Sequence, residues 1–155
     1  MSPGLRAVVA YVASRLISRA ESSFLFDFSA RGHRSMGGTV SEDCVNVYDY
    51  SENCQMTGHS SNGRFQLFHC GERVHLSLEI AGASFRGFDH SAGRQFSGTV
   101  NGPRVSIHDQ ADLQRYDYWC EAPQSSRLPG WEPGSDEIGV ESQAAEPEPG
   151  NPATE

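Results

Sequence analysis

The segment FDFSARGHRSMGGTVSEDCVNVYD at residues 26–49 returns, shortened, as FDHSAGRQFSGTVNGPRVSIHD at 88–109. Gly38-Thr39-Val40 matches Gly98-Thr99-Val100. Val45, Val47 and Asp49 match Val105, Ile107 and Asp109, at a spacing of about 60 residues. This echo constrains the fold more than any other feature. A short strand unit cannot bury its apolar face alone, whereas two such units facing each other can close a core. The expectation is a mainly β protein, with duplicated antiparallel meanders forming a small sandwich or barrel over residues 24–120. The repeat units would span about 24–60 and 86–120.

The local pattern agrees. From Phe24 to Trp119 apolar residues recur with a period of two, in FLFDF, VNVYDY, RFQLFHC, VHLSLEI and RVSIHD. Each run is short, rich in β-branched or aromatic residues and bounded by turn formers. In VHLSLEI, Val74, Leu76, Leu78 and Ile80 point one way and His75, Ser77 and Glu79 the other, so one face is buried and one wet. Asn101-Gly102 is a hairpin signal, and Cys70-Gly71-Glu72 links two strands expected to be antiparallel.

Two segments flank this body. Residues 1–23 contain GLRAVVAYVASRLISRA, in which Leu5, Val8, Val9, Val12, Leu16 and Ile17 make an apolar stripe at helical spacing while Arg6, Arg15 and Arg19 occupy other sides. Ser2 and Pro3 suit the start of that helix. The stripe is expected to pack on the body, the rival being docking to a partner or a membrane surface. Residues 121–155 hold six prolines and eight acids against the single base Arg127. That acidic, Pro-rich composition predicts a disordered tail, interrupted by Trp131 and Ile138-Gly139-Val140.

The formal charge of −8 is mostly carried by the tail. Without a basic excess, nucleic acid is disfavoured as the main partner. All 12 basic residues are arginine, scattered through the chain. The apolar run AVVAYVA at 7–13 is far below the ~20 residues of a membrane span and makes no convincing signal peptide, so a cytoplasmic location is expected. Cys44, Cys54, Cys70 and Cys120 would then be free thiols.

Candidate chemistry is sparse. Cys54, His59, His69, Cys70 and His75 are the residues a zinc ion would have to recruit, with His69 and His75 expected to face each other across a hairpin. No close cysteine pair of the usual zinc spacing is present. The same region would serve a cysteine-dependent enzyme, but it lacks a strand-to-helix elbow to activate a thiol. Asp27, Asp49, Asp89 and Asp109 recur in the echo and suit turn starts, where an aspartate bonds its own backbone. Tyr48 with Tyr50, and Tyr116 with Tyr118, place two tyrosine pairs on strand faces. Arg31, His33 and Arg34 sit in SARGHRSMGG at 29–38, expected to be a loop able to receive an anion. These seven residues are the expected contact surface of a small non-catalytic module that binds a protein partner and needs no cofactor. The alternatives are a metal- or cysteine-dependent enzyme, and a self-assembling structural protein.

Overall fold

In the computed structural model, which describes residues 1–120, one helix is followed by ten strands. The helix α1 spans Pro3–Ser18. The strands are β1 Phe24–Asp27, β2 Gly32–Val40, β3 Cys44–Asp49, β4 Cys54–Ser61, β5 Arg64–His69, β6 Val74–Ala81, β7 Ser84–Asp89, β8 Arg94–Asn101, β9 Arg104–Asp109 and β10 Gln114–Cys120. Each pairs antiparallel with the next, and β1 pairs with β10, so the sheet closes into a barrel. Closure removes the free edges that would otherwise invite pairing with other chains. Residues 121–155, including Trp131 and Ile138–Val140, lie outside the described residues.

Local chemistry sets the rhythm. At one end of the barrel, every second strand finishes on a side chain that turns the chain by accepting backbone N–H groups. Asp27 Oδ1 accepts from Ser29 and Ala30 at 3.0 and 3.1 Å, and Asp89 Oδ1 from Ser91 and Ala92 at 2.9 and 3.1 Å. Asp49 does the same for Ser51 and Glu52, and Asp109 for Ala111. Four residues after each of these positions the backbone is left-handed, at Arg31, Asn53, Gly93 and Leu113. His69 takes the remaining place. Its Nδ1 accepts from Glu72 N–H at 3.1 Å, and Arg73 supplies the left-handed residue. At the other end the turns are tight. Asn62-Gly63 has positive φ at both residues, and Gly82 and Gly102 open two-residue turns at φ 64° and 61°.

Asp49, His69, Asp89 and Asp109 therefore follow one another at hairpin spacing around a single barrel. The 60-residue echo compares β1–β3 with β7–β9, three hairpins further round. The expected small sandwich or barrel is a closed ten-stranded antiparallel barrel. The segment 29–38, expected to be a loop, comprises the last three residues of the four-residue β1–β2 turn and most of β2.

The barrel core is its own helix. Every residue from Leu5 to Ser14 is buried, and α1 touches β1, β2, β3, β6, β8, β9 and β10. A helix apolar on one stripe packs on a surface; one buried all round lies within a core. Ala7, Ala10 and Ala13 explain how it fits, because these small residues fill the sides of α1 away from the Leu5, Val9 and Val12 stripe. The inward residues of the strands, among them Leu25, Met36, Val47, Met56, Leu67, Leu76, Leu78 and Ile107, complete the packing. Each such side chain contributes roughly 1.5–3 kcal/mol when fully buried. Arg6, expected on a wet side, is buried instead. Its Nε donates to Tyr118 Oη at 3.2 Å and its guanidinium lies 3.4 Å from the Tyr116 ring centroid.

Polarity fixes the direction of the helix. Ser2 caps it by accepting from Leu5 N–H at 3.2 Å, and its hydroxyl donates to Glu72. The Met1 amine pairs with Asp109 at 2.7 Å. The helix N-terminus thus meets the acidic turn end, while Arg15 and Arg19 at the other end bond Gly38 O and Glu42. Curvature has its own signature in β7 and β8. A Cβ at Gly87 would overlap the Ser77 carbonyl and the Phe96 ring, and one at Gly98 would overlap the Ser106 carbonyl and the Phe85 ring. Each phenylalanine lies over the facing strand's glycine, a reciprocal arrangement in which the ring fills the space a Cβ would need.

Candidate functional site

The outward faces of β10, β1, β2 and β3 carry an aromatic wall. Phe24 and Phe26 point out because Leu25 and Asp27 point in, and Tyr48 because Val47 and Asp49 do. Across the sheet, Trp119 pairs with Phe26 and Phe26 with His33. The rings meet edge to face: Phe26–Phe28 at 5.1 Å, Phe26–His33 at 5.0 Å, Phe24–His33 at 5.3 Å and Tyr48–Tyr50 at 4.9 Å between centroids. Tyr50 lies over Gly37, its Oη 3.7 Å from where a Cβ would be. Phe28, Tyr50 and Trp119 are 46%, 59% and 39% exposed. Among the described residues, these and the turn residue Leu113 are the exposed large hydrophobics.

The wall gathers some of the expected contact residues and excludes others. Tyr48, Tyr50 and His33 belong to it. Tyr118 does not: it is buried against Arg6, and burial, only partly offset by Arg6, pushes its phenol up to about 12. Tyr116 also faces inward, beneath the Arg6 guanidinium and bonded to Asp112. The reason is register. The strand β10 turns Tyr116, Tyr118 and Cys120 to the core and Trp119 to solvent. Arg31 occupies a left-handed turn position. Arg34 reaches into the barrel end between Asp27 and Asp49, at 3.7 and 3.8 Å, and donates to Glu52 at 3.1 Å. Arg31, His33 and Arg34 therefore form no common anion cradle. Phe24, Phe26, Phe28 and Trp119 are not among the expected contact residues, although alternation about Leu25, Asp27 and Tyr118 places them outward.

The cysteine and histidine candidates divide between the two faces of the sheet. Cys54 and His69 point into the turn end of the barrel. His75 is outside, with its ring 4.7 Å from Phe68, and His59 and Cys70 are also exposed. His69 and His75 do not face each other, because His69 pairs with Val74 and His75 with Phe68. Among the described residues no three His, Cys, Asp or Glu side chains are grouped to hold a metal ion.

Cys54 Sγ stands 3.4 Å from His69 Nε2, in a cavity of about 310 Å³ lined also by Ser2, Glu52 and Glu72. The geometry resembles a nucleophile and its base, but the proton is on the wrong atom. His69 Nδ1 is committed to accepting from Glu72 N–H, so the neutral ring carries its hydrogen on Nε2, facing the sulfur. Burial, reinforced by Asp49, Glu52 and Glu72, pushes the Cys54 thiol up. A protonated thiol beside a histidine that cannot take its proton is a poor nucleophile. His69 performs the turn-capping task that aspartate performs at the four equivalent positions.

Asp49 gives this end of the barrel a pH signature. Burial raises its carboxyl, outweighing the bonds from Ser51 and Glu52 and the Arg34 charge, and its Oδ2 is buried without a hydrogen-bond partner. A carboxyl raised in the fold contributes stability that is fully present below its unfolded value of about 3.9 and is lost as pH rises through the folded value. Asp49→Asn keeps the turn-capping oxygen and discards the charge, while Asp27 and Glu52 still attend Arg34. In urea unfolding Asp49→Asn should match or exceed the native protein at pH 7, with the difference vanishing towards pH 3. Asp49→Ala should lose about 1 kcal/mol through the cap. An Asn variant as weak as the Ala variant would show that the carboxylate charge, and not the cap, matters here.

No family model matches the chain, and no curated protein or solved structure matches it either.

Proposed function

We propose that this protein is a small non-catalytic interaction module whose contact surface is the aromatic wall of β10, β1, β2 and β3, and whose partner is a protein. The observation that supports this most is the lateral run Trp119, Phe26 and His33, extended by Phe24, Phe28, Tyr48 and Tyr50, of which Phe28, Tyr50 and Trp119 are the most exposed. Exposed Trp, Tyr and Phe gathered on rigid strands are the composition of interface centres. The rest of the barrel is consistent with a platform. Its lumen is occupied by α1, and the turn-end thiol lacks an activating base. The four cysteines, all free, suit a reducing compartment as part of the same proposal.

Site-specific photocrosslinking in the native host tests the reading. A crosslinker at position 28 or 50 should capture a discrete protein, and one at Gln95, outward on β8, should not. Phe28→Ser combined with Trp119→Ser should abolish capture at 50 while leaving the thermal transition in place. Equal capture from all three positions would overturn the wall as the contact surface. An adduct of twice the chain's own mass would replace the partner with a second copy and favour the self-assembling alternative.

A further inference from the structure

Beside the aromatic wall, and sharing β10 with it, the outer surface carries a second feature built from different residues. Between β6 and β10 the sheet exterior is hollowed into a trough of about 990 Å³. Two outward lateral rows form it. One runs Glu79, Arg86, Ser97, His108 and Arg115 across five strands, each paired with the next. The other runs Ser84, Thr99, Ser106 and Asp117. The hollow exists because the floor is built of small residues (Ser97, Gly98, Thr99 and Ser106) while long side chains stand on its rim.

Its hydrogen-bonding account is one-sided. The carboxylates are already spent. Glu79 accepts from Arg86 Nε at 3.0 Å and Arg64 at 3.5 Å, and Asp117 accepts from Ser106 Oγ at 2.6 Å, Arg104 at 3.1 Å and Arg115 Nε at 3.2 Å. Arg86 and Arg115 are held by Nε, so their terminal nitrogens have no partner among the described residues, whereas Arg64 and Arg104 donate from Nη2. The hydroxyls of Ser97 and Thr99 and the ring of His108 are likewise uncommitted. Two arginines, Arg86 and Arg115, line the trough against one acid, Glu79, on a chain of net charge −8. What the trough offers is unspent donors and positive charge. Arginine held at Nε presents its fork pre-oriented, the geometry that matches the oxygens of sulfate and phosphate. Arg86 and Arg115 lie three strand spacings apart, about 14 Å at the backbone.

We propose that this trough binds a saccharide bearing sulfate or phosphate esters: the two arginine forks take the tetrahedral oxyanions, and Ser97, Thr99 and His108 bond the sugar hydroxyls between them. This differs from phosphate-backbone binding, which needs a larger basic excess than the chain has. The test is titration calorimetry of the full chain at low salt with four probes: a sulfated oligosaccharide, its desulfated counterpart, a hexose phosphate and sodium sulfate. The sulfated oligosaccharide or the hexose phosphate should bind at least about tenfold more tightly than sodium sulfate, and which of the two does so identifies the ester. The desulfated sugar should not bind. Arg86→Gln with Arg115→Gln should weaken the preferred probe at least about tenfold, whereas Arg31→Gln with Arg94→Gln, exposed arginines at the turn end, should leave it unchanged. Absence of binding by every probe, sodium sulfate binding as tightly as the sugars, or equal loss in the two double variants would overturn the proposal. All four arginines are at the surface, and circular dichroism of each variant checks that the barrel is intact.

Discussion

Ala7→Arg should destroy most of the stability of this protein. On a helix packed against the outside of a sheet, Ala7 would lie opposite the Leu5, Val9 and Val12 stripe and face water, where arginine costs a few tenths of a kcal/mol at most. Here Ala7 is 0% exposed, inside a closed barrel. The substitution inserts a long cation into a space sized for a methyl group, with no carboxylate provided for it. Overpacking costs typically 1–3 kcal/mol and burial of an unpaired charge several more, against a total of ~5–15 kcal/mol for a domain. The expected result is loss of the cooperative urea transition, or a midpoint so low that the variant is largely unfolded in buffer. Val9→Ala serves as a reference on the stripe itself, where both placements of the helix predict a moderate loss. A native-like midpoint for Ala7→Arg would mean that α1 leaves the lumen in solution.

That contrast also shows where sequence patterns were sufficient and where they were not. The strands with strong alternation, β3, β5, β6 and β9, are legible because each buries one face in a closed wall. The polar strand β4, CQMTGHSS, is not, since Met56 is its single fully buried apolar residue. The helix was legible as a helix but not as a core. Its small residues Ala7, Ala10 and Ala13 read as a neutral side, and only the barrel shows that small means enclosed. Arg6 misled for the same reason: arginine usually marks water, and its partners Tyr116, Tyr118 and Asp109 lie about 110 residues away in the chain. The true hairpin rhythm was hidden because His69 stands where the other turns have aspartate. Two different side chains satisfy the same backbone N–H, and a comparison of letters cannot see that equivalence. Of the wall, Tyr48 and Tyr50 are legible from their two-residue spacing, while His33 is named by the sequence only as part of an expected loop. Tyr116 and Tyr118 went to the wrong side because a two-residue spacing shows that residues share a face, without saying which face is wet.

Asp109 is where these threads meet, and its removal is the second large effect expected. One carboxylate serves three tasks. Its Oδ1 caps the β9–β10 turn through Ala111 N–H at 3.0 Å, while its Oδ2 pairs with the Met1 amine at 2.7 Å and with Arg6 at 3.8 Å. The charged groups Met1, Arg6 and Asp109 are at most 5% exposed in these pairs. Asp109→Ala therefore leaves two buried positive charges without their counterion, a situation that costs about 3–5 kcal/mol, and also loses the cap. Asp109→Asn separates the contributions, since the amide oxygen can still accept from Ala111 while the charge is gone. The Asn variant should fall between the native and Ala proteins in urea unfolding, nearer to Ala because the charges dominate. Adding Arg6→Met should recover part of the loss in the Asp109→Asn background, although Arg6→Met alone, which breaks the Tyr118 bond and strips Asp109 of a partner, should be destabilising. Such a sign reversal in a double-mutant cycle marks two energetically coupled groups, as a buried ion pair in one hydrogen-bond network is. Additive losses would mean that Arg6 is held by Tyr116 and Tyr118 and that its charge is neutralised elsewhere. In that case the acidic turn end would matter to the helix through the Met1 amine and the cap at Ser2, and not through the arginine buried one turn further in.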